Sequence, residues 1–195
     1  MCGGRLTQTL SKGEGLKDQV VMNEYLQSVR KQFAYYKSVG EKTFAQVEDE
    51  NLFWCYNEDS NSIAMIVQHI VGNMLSRWTD FLTSDGEKEW RNRDTEFEVV
   101  IKTRQELLDK WEEGWACMFN ALDSIKDIDW ERKVYIRSEP HSIIEAINRQ
   151  LAHVPYHVGQ IVYIGKMTAN NWSSLTIPKG KSSAFNAEKF KTATK

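Results

Sequence analysis

The stretch Arg149-Gln150-Leu151-Ala152-His153-Val154-Pro155-Tyr156-His157-Val158-Gly159-Gln160-Ile161 holds two of the chain's four histidines. On a helix, residues four apart lie on one face, one turn apart, so two imidazoles at this spacing can converge on one metal ion. Leu151, Val154 and Val158 flank the pair and predict a largely buried helix. Arg149 or Gln150, His153, His157 and Gln160 then form a polar stripe beside an apolar face. Such a stripe is costly unless a metal, a ligand or a polar network satisfies it. Pro155 removes one helical hydrogen bond, to the Leu151 carbonyl. It either bends the helix around a site or distorts the spacing of the pair.

Outward from this stretch, the apolar set Ile143, Ile144, Ile147, Leu151, Val154, Val158 and Ile161 predicts a helix over 142–166. Ser142 with Glu145 has the spacing of a capping box, after the breaker Pro140. Three more helices are expected upstream. Val21, Tyr25, Val29, Phe33 and Tyr36 mark one over 18–47, with Gly40 as a break or soft point. Ile63, Ile66, Ile70, Met74, Trp78 and Phe81 mark a second over 61–82, capped by Asn61 or Ser62. Leu107, Trp111, Trp115, Met118 and Leu122 mark a third over 102–125, with Thr103 and Glu106 as its capping box. The alternation within 128–137 suits a short strand or an extended crossover, and 90–94 reads as polar loop. Four helices of this length predict an all-α four-helix bundle with long connections and an irregular C-terminal tail. The expected organisation is a disordered leader over 1–16, one helical domain over 17–186 and a tail over 187–195.

Composition narrows the function classes. The 195 residues are 27% charged with a formal net charge of -2, so no basic field points to nucleic acid or an anionic membrane. Cys2, Cys55 and Cys117 are scattered and form no C-x-x-C pair, which suits a reducing cytoplasm. No apolar run approaches the roughly 18 residues of a membrane-spanning helix, and the first residues lack the apolar segment of a signal peptide. Cys55, in Phe53-Trp54-Cys55-Tyr56, reads as a packing residue rather than a nucleophile. Lys179-Gly180-Lys181-Ser182 lacks the first glycine of a phosphate loop and reads as a tail folding back on the bundle.

A third ligand is available in His69, on the second helix with Ile66 and Asn73 on its own face and Gly72 nearby to admit a close neighbour. His69, His153 and His157 make a three-histidine metal site, which leaves an open coordination position on zinc. Nickel and iron(II) also accept imidazole. Arg149, Tyr156 and Gln160 are candidates for pocket walls or for outer partners of the ligands. His141, beside Pro140, reads as a loop or capping residue.

The run His153-Val154-Pro155-Tyr156-His157-Val158-Gly159-Gln160-Ile161, with His69 on an earlier helix, resembles the signature of the DinB/YfiT-like superfamily of bacterial four-helix bundles. Glu139-Pro140-His141-Ser142 and Ser174-Leu175-Thr176-Ile177-Pro178-Lys179-Gly180 extend the resemblance to one subgroup, over roughly 20–186. The resemblance implies a divalent metal, zinc or nickel first and iron or manganese as alternatives, on His69, His153 and His157. It implies a thiol S-transferase that brings a bacillithiol-type thiol to an electrophile, with a homodimer as the assembly. The rival expectations are a metal-dependent hydrolase and a non-catalytic bundle that binds metal or ligand.

Overall fold

The computed structural model describes residues 12–98 and 100–193. The chain is predominantly helical. Its elements are α1 (Lys12–Phe44), α2 (Ile63–Trp78), α3 (Arg104–Ser124), a hairpin of β1 (Lys133–Ile136) and β2 (Glu139–Ser142), α4 (Ile143–Thr168) and α5 (Ser182–Ala193). Short 3-10 turns occupy Asp49–Leu52, Asp94–Phe97 and Asp127–Glu131. Among the described residues, no helix is long and apolar enough to cross a membrane.

Local chemistry fixes where the helices start. Ser62 Oγ accepts from the Met65 amide at the head of α2. Thr103 with Glu106 and Ser142 with Glu145 both form complete capping boxes, at the heads of α3 and α4. Each such cap is worth about 1 kcal/mol because it satisfies amides that have no intrahelical partner. α2 ends at Trp78, four residues before the expected stop, because Thr79 turns extended; Asp80 then takes a left-handed conformation with φ of 50°. α4 runs unbroken through Pro155. An internal proline costs about 3 kcal/mol, and here the fully buried neighbours Val154, Val158 and Ile161 hold the helix together against that cost.

α2 packs chiefly on α3, and α1 chiefly on α4; α2 also meets α4, and α1 meets α3. The core between them is aromatic. Trp111 and Trp115 are fully buried. Phe44 packs edge-on against Trp111 at 5.2 Å, and Phe33 packs against Trp115 at 6.3 Å. Gly40 is neither break nor soft point, because α1 continues through it. A Cβ there would lie 2.6 Å from Trp111 Cζ2, so the missing side chain is the space the indole fills.

The short strand expected within 128–137 is present as β1, and the strand that pairs with it was not expected. The segment expected as strand or crossover is a 3-10 turn followed by β1, which pairs antiparallel with β2, Lys133 opposite Ser142 and Ile136 opposite Glu139. Arg137 and Ser138 turn the hairpin with φ of 55° and 62°. Both turn amides donate to the Asp85 carboxylate, at 2.9 and 2.7 Å. Glu87 gathers Arg77, Arg93 and Arg137. These contacts fasten the connection after α2 to the hairpin, which leads directly into α4. The hydrogen bond from Arg93 leads the causes that hold Glu87 at a pKa of about 2.

Both ends also depart from expectation. Of the leader expected over 1–16, residues 1–11 lie outside the described residues, and 12–16 already belong to α1. The tail is not irregular to its end, because α5 forms there, with no marked apolar face and with exposed side chains over 182–191. Leu175 is the part of this segment that packs on the core. Cys55, read as a packing residue, is exposed.

Two alanine substitutions test the packing. Gly40→Ala gains helix propensity of about 0.5–1 kcal/mol but overpacks against a buried indole at about 1–3 kcal/mol. Chemical denaturation is expected to show a net loss. Gly159 lies within α4, and a Cβ there meets nothing within 4 Å. Gly159→Ala is expected to raise stability by about 0.5–1 kcal/mol.

Candidate metal centre

α2 supplies His69, and α4 supplies His153 and His157. Pro155 does not separate the pair: the His153 and His157 ring centroids lie 4.5 Å apart. His69 faces them across the α2–α4 seam, with its centroid 4.7 Å from that of His157. One nitrogen from each of the three rings lies within 4.8 Å of the others, a set that could hold a metal ion. His69 Nε2 and His153 Nε2 are 3.2 Å apart. Two nitrogens on a tetrahedral zinc, each about 2.0–2.1 Å from it, would be about 3.3–3.4 Å apart, so this pair already has the separation of co-ligands.

The outer ring nitrogens explain how the rings are held. His69 Nδ1 lies 2.9 Å from Glu96 Oε2. The carboxylate fixes the tautomer in which Nδ1–H donates and Nε2 keeps its lone pair for the cluster. Glu96 is itself clamped by Arg91, with Nε on Oε1 at 2.6 Å and Nη2 on Oε2 at 3.0 Å. Gly72 makes room for this carboxylate, since a Cβ at that position would lie 2.6 Å from Glu96 Oε1. Beside His69, Gln68 Nε2 donates to the carbonyls of Thr95 and Glu96, at 2.9 Å each. Phe97 stacks on the His69 ring at 5.2 Å. On α4, His157 Nδ1 lies 2.8 Å from Gln160 Oε1. His153 Nδ1 is buried and has no hydrogen-bond partner among the described residues.

Burial sets the charge state. It is the leading cause that pushes the His153 pKa down to about 3, and the neighbouring His157 and His69 add to the shift. Burial also lowers His157, opposed by its hydrogen bond to Gln160 and aided by His69. Burial pushes the Glu96 carboxyl up, but His69 and Arg91 outweigh it and leave the group below the ordinary carboxylate range. His153 and His157 are therefore neutral near pH 7 and offer lone pairs, the protonation state that a metal ligand needs.

The other expected site residues divide. Gln160 touches His157. Tyr156 is exposed and sets its ring edge-on to His157 at 4.9 Å. Among the described residues Arg149 makes no hydrogen bond to the three histidines; with Tyr156 and His153 it lines a cavity of about 400 Å³ between α2, α4 and β1. His141 stands apart in β2, opposite Val134, and is a strand residue rather than a loop or cap. Glu96, Arg91, Gln68 and Phe97 were not foreseen. Three of them lie in a polar connection without period, and nothing local sets Glu96 apart from the other acidic residues. The available signal was Gly72, next to which a close neighbour was expected.

Two measurements on metal-free protein follow. Glu96→Ala would leave Arg91, whose side chain is 1% exposed, without its counter-charge; a loss of about 3–5 kcal/mol is expected in chemical denaturation. Glu96→Gln keeps an acceptor for His69 and should lose less. The second is a pH series. Below about pH 6.5 the unfolded chain takes up a proton that folded His153 refuses until about pH 3. Stability from this residue is full above pH 6.5 and declines as pH falls towards 3. His153→Gln is expected to flatten that part of the profile.

No curated protein and no solved structure gives a significant match to the chain. A family model described as Protein of unknown function (DUF1572) matches residues 20–181. That span is most of the chain, which therefore belongs to this family.

Proposed function

We propose that the chain is a divalent-metal-dependent enzyme built as a DinB-like four-helix bundle, with His69, His153 and His157 as the metal ligands. The observation that carries the reading is the donor set. Two histidines that burial keeps neutral meet a third whose Nδ1 is fixed by a buried carboxylate, and the Nε2 atoms of His69 and His153 are 3.2 Å apart. The order of the histidines, one on α2 and two on α4, supports the DinB-like assignment, as does the packing of α1–α4 on one another. Three imidazoles suit zinc or nickel and leave a coordination position open.

Thiol S-transfer is the reaction class this reading favours. A divalent ion held by His69, His153 and His157 would lower the pKa of a bound thiol and so would supply a thiolate near neutral pH. The chain's own residues hold that environment in place. Glu96 and Gln160 orient the rings of His69 and His157, and Phe97 covers one face of His69. The cavity beside His153 provides room for a reacting partner.

Protein purified without chelator or histidine tag is expected to hold about one divalent ion per site. His153→Ala and His157→Ala should lose it, and Glu96→Gln should weaken it about 10–100-fold. Metal content by mass spectrometry reads this directly, and equal metal in wild type and both histidine variants would sink the site. Consumption of bacillithiol with a bimane electrophile tests the reaction. Wild type should accelerate it and His153→Ala should not; a metal-loaded protein inert to every thiol would exclude the transferase.

A further inference from the structure

Four helical glycines have a neighbour that fills the space of the missing side chain. A Cβ at Gly40 would lie 2.6 Å from Trp111, one at Gly72 2.6 Å from Glu96, one at Gly165 2.5 Å from Thr43 and one at Gly114 3.2 Å from Val71. Gly159 is different. It is exposed in the interior of α4, and a Cβ there meets nothing within 4 Å. Glycine weakens a helix interior relative to alanine, and one reason to keep it is the close approach of a ligand to the backbone. At Gly159 the open space is used by no described atom of the chain.

The surroundings of Gly159 select what approaches. Tyr156 and Tyr163 lie one turn to either side of it on the same helix face, and they are 64% and 67% exposed. Together with Ile66, Ile164 and Gln160 they line a hollow of about 510 Å³, within the size range of small-molecule sites. Two tyrosine rings with bare backbone between them favour a third ring, offset or edge-on. No lysine or arginine lines the hollow, and its one charged residue is Asp59, which disfavours an anion. The hollow also adjoins the histidines. Tyr156 sets its ring edge-on to His157 at 4.9 Å, and Gln160 Oε1 lies 2.8 Å from His157 Nδ1. The cavity of about 400 Å³ meets the same cluster at His153, and Tyr156 lines both spaces.

We propose that the hollow over Gly159 is a second ligand site, which takes a flat, uncharged aromatic molecule between Tyr156 and Tyr163. That this molecule is the electrophile of the reaction rests on the thiol-transfer reading; its binding does not.

The test is calorimetric titration of the full chain, metal-free and zinc-loaded, with 2-naphthol, its saturated decahydro form and the anion 2-naphthoate. 2-Naphthol is expected to bind both forms of the protein about tenfold tighter than either comparison, the discrimination that two ring contacts give. Gly159→Ala separates this role from a structural one, because it should stabilise the fold and yet weaken 2-naphthol at least about tenfold by filling the slot. Tyr163→Ala should erase the preference for 2-naphthol over its saturated form and leave zinc content unchanged. No binding of 2-naphthol at millimolar concentration, no preference over either comparison, or unchanged binding in Gly159→Ala would overturn the proposal. So would a dimer in sedimentation whose formation excludes 2-naphthol, since a second copy would then be what covers Gly159. Binding of 2-naphthol by a chain that retains no zinc would sink the metal reading and leave this site standing; zinc retained without that binding would do the reverse.

Discussion

The Glu96 carboxylate is buried under α2 between an arginine and a histidine, and both of its oxygens are used. Arg91 neutralises it, and His69 donates to it from the ring nitrogen that faces away from the cluster. A charge in that position is tolerated only while both partners stay. The connection after α2 must therefore return to the same helix it left. Gln68 pins the backbone of that return, and Gly72 gives the carboxylate room. Asp85 and Glu87 tie the earlier part of the same connection to the β1–β2 hairpin. The hairpin feeds α4, which carries the other two histidines. One chain of contacts thus runs from the orientation of His69 to the placement of His153 and His157.

The three rings are treated differently. His69 is tied to a carboxylate and His157 to an amide oxygen, while His153 meets His69 through its Nε2 and its outer nitrogen has no hydrogen-bond partner among the described residues. Burial, with the neighbouring His157 and His69, keeps the His153 ring neutral down to about pH 3.

Much of the fold was legible because it is written in local signals. The capping boxes at Thr103 and Ser142 mark the starts of α3 and α4 to within a residue or two, and the apolar stripes mark the faces that became core. α2 stopped early because Thr79 leaves helical geometry for an extended one, which the later Thr-Ser-Asp-Gly signal did not locate. α5 was missed because its residues carry no apolar period to read. Gly40 was misread because the reason for it, an indole on α3, is distant in sequence. The site divided the same way. The spacing of His153 and His157 was readable within one helix, and His69 was found as its complement. Glu96 was invisible because its two partners, Arg91 in the same connection and His69 on α2, become neighbours only through the fold.

X-ray absorption at the zinc edge of the zinc-loaded full chain tests the central claim most directly. Three imidazole nitrogens at about 2.0–2.1 Å with one further light-atom ligand are predicted, falling to two imidazoles or to no retained zinc in His69→Ala. A zinc shell of oxygen ligands without imidazole scattering, or one unchanged in His69→Ala, would contradict it.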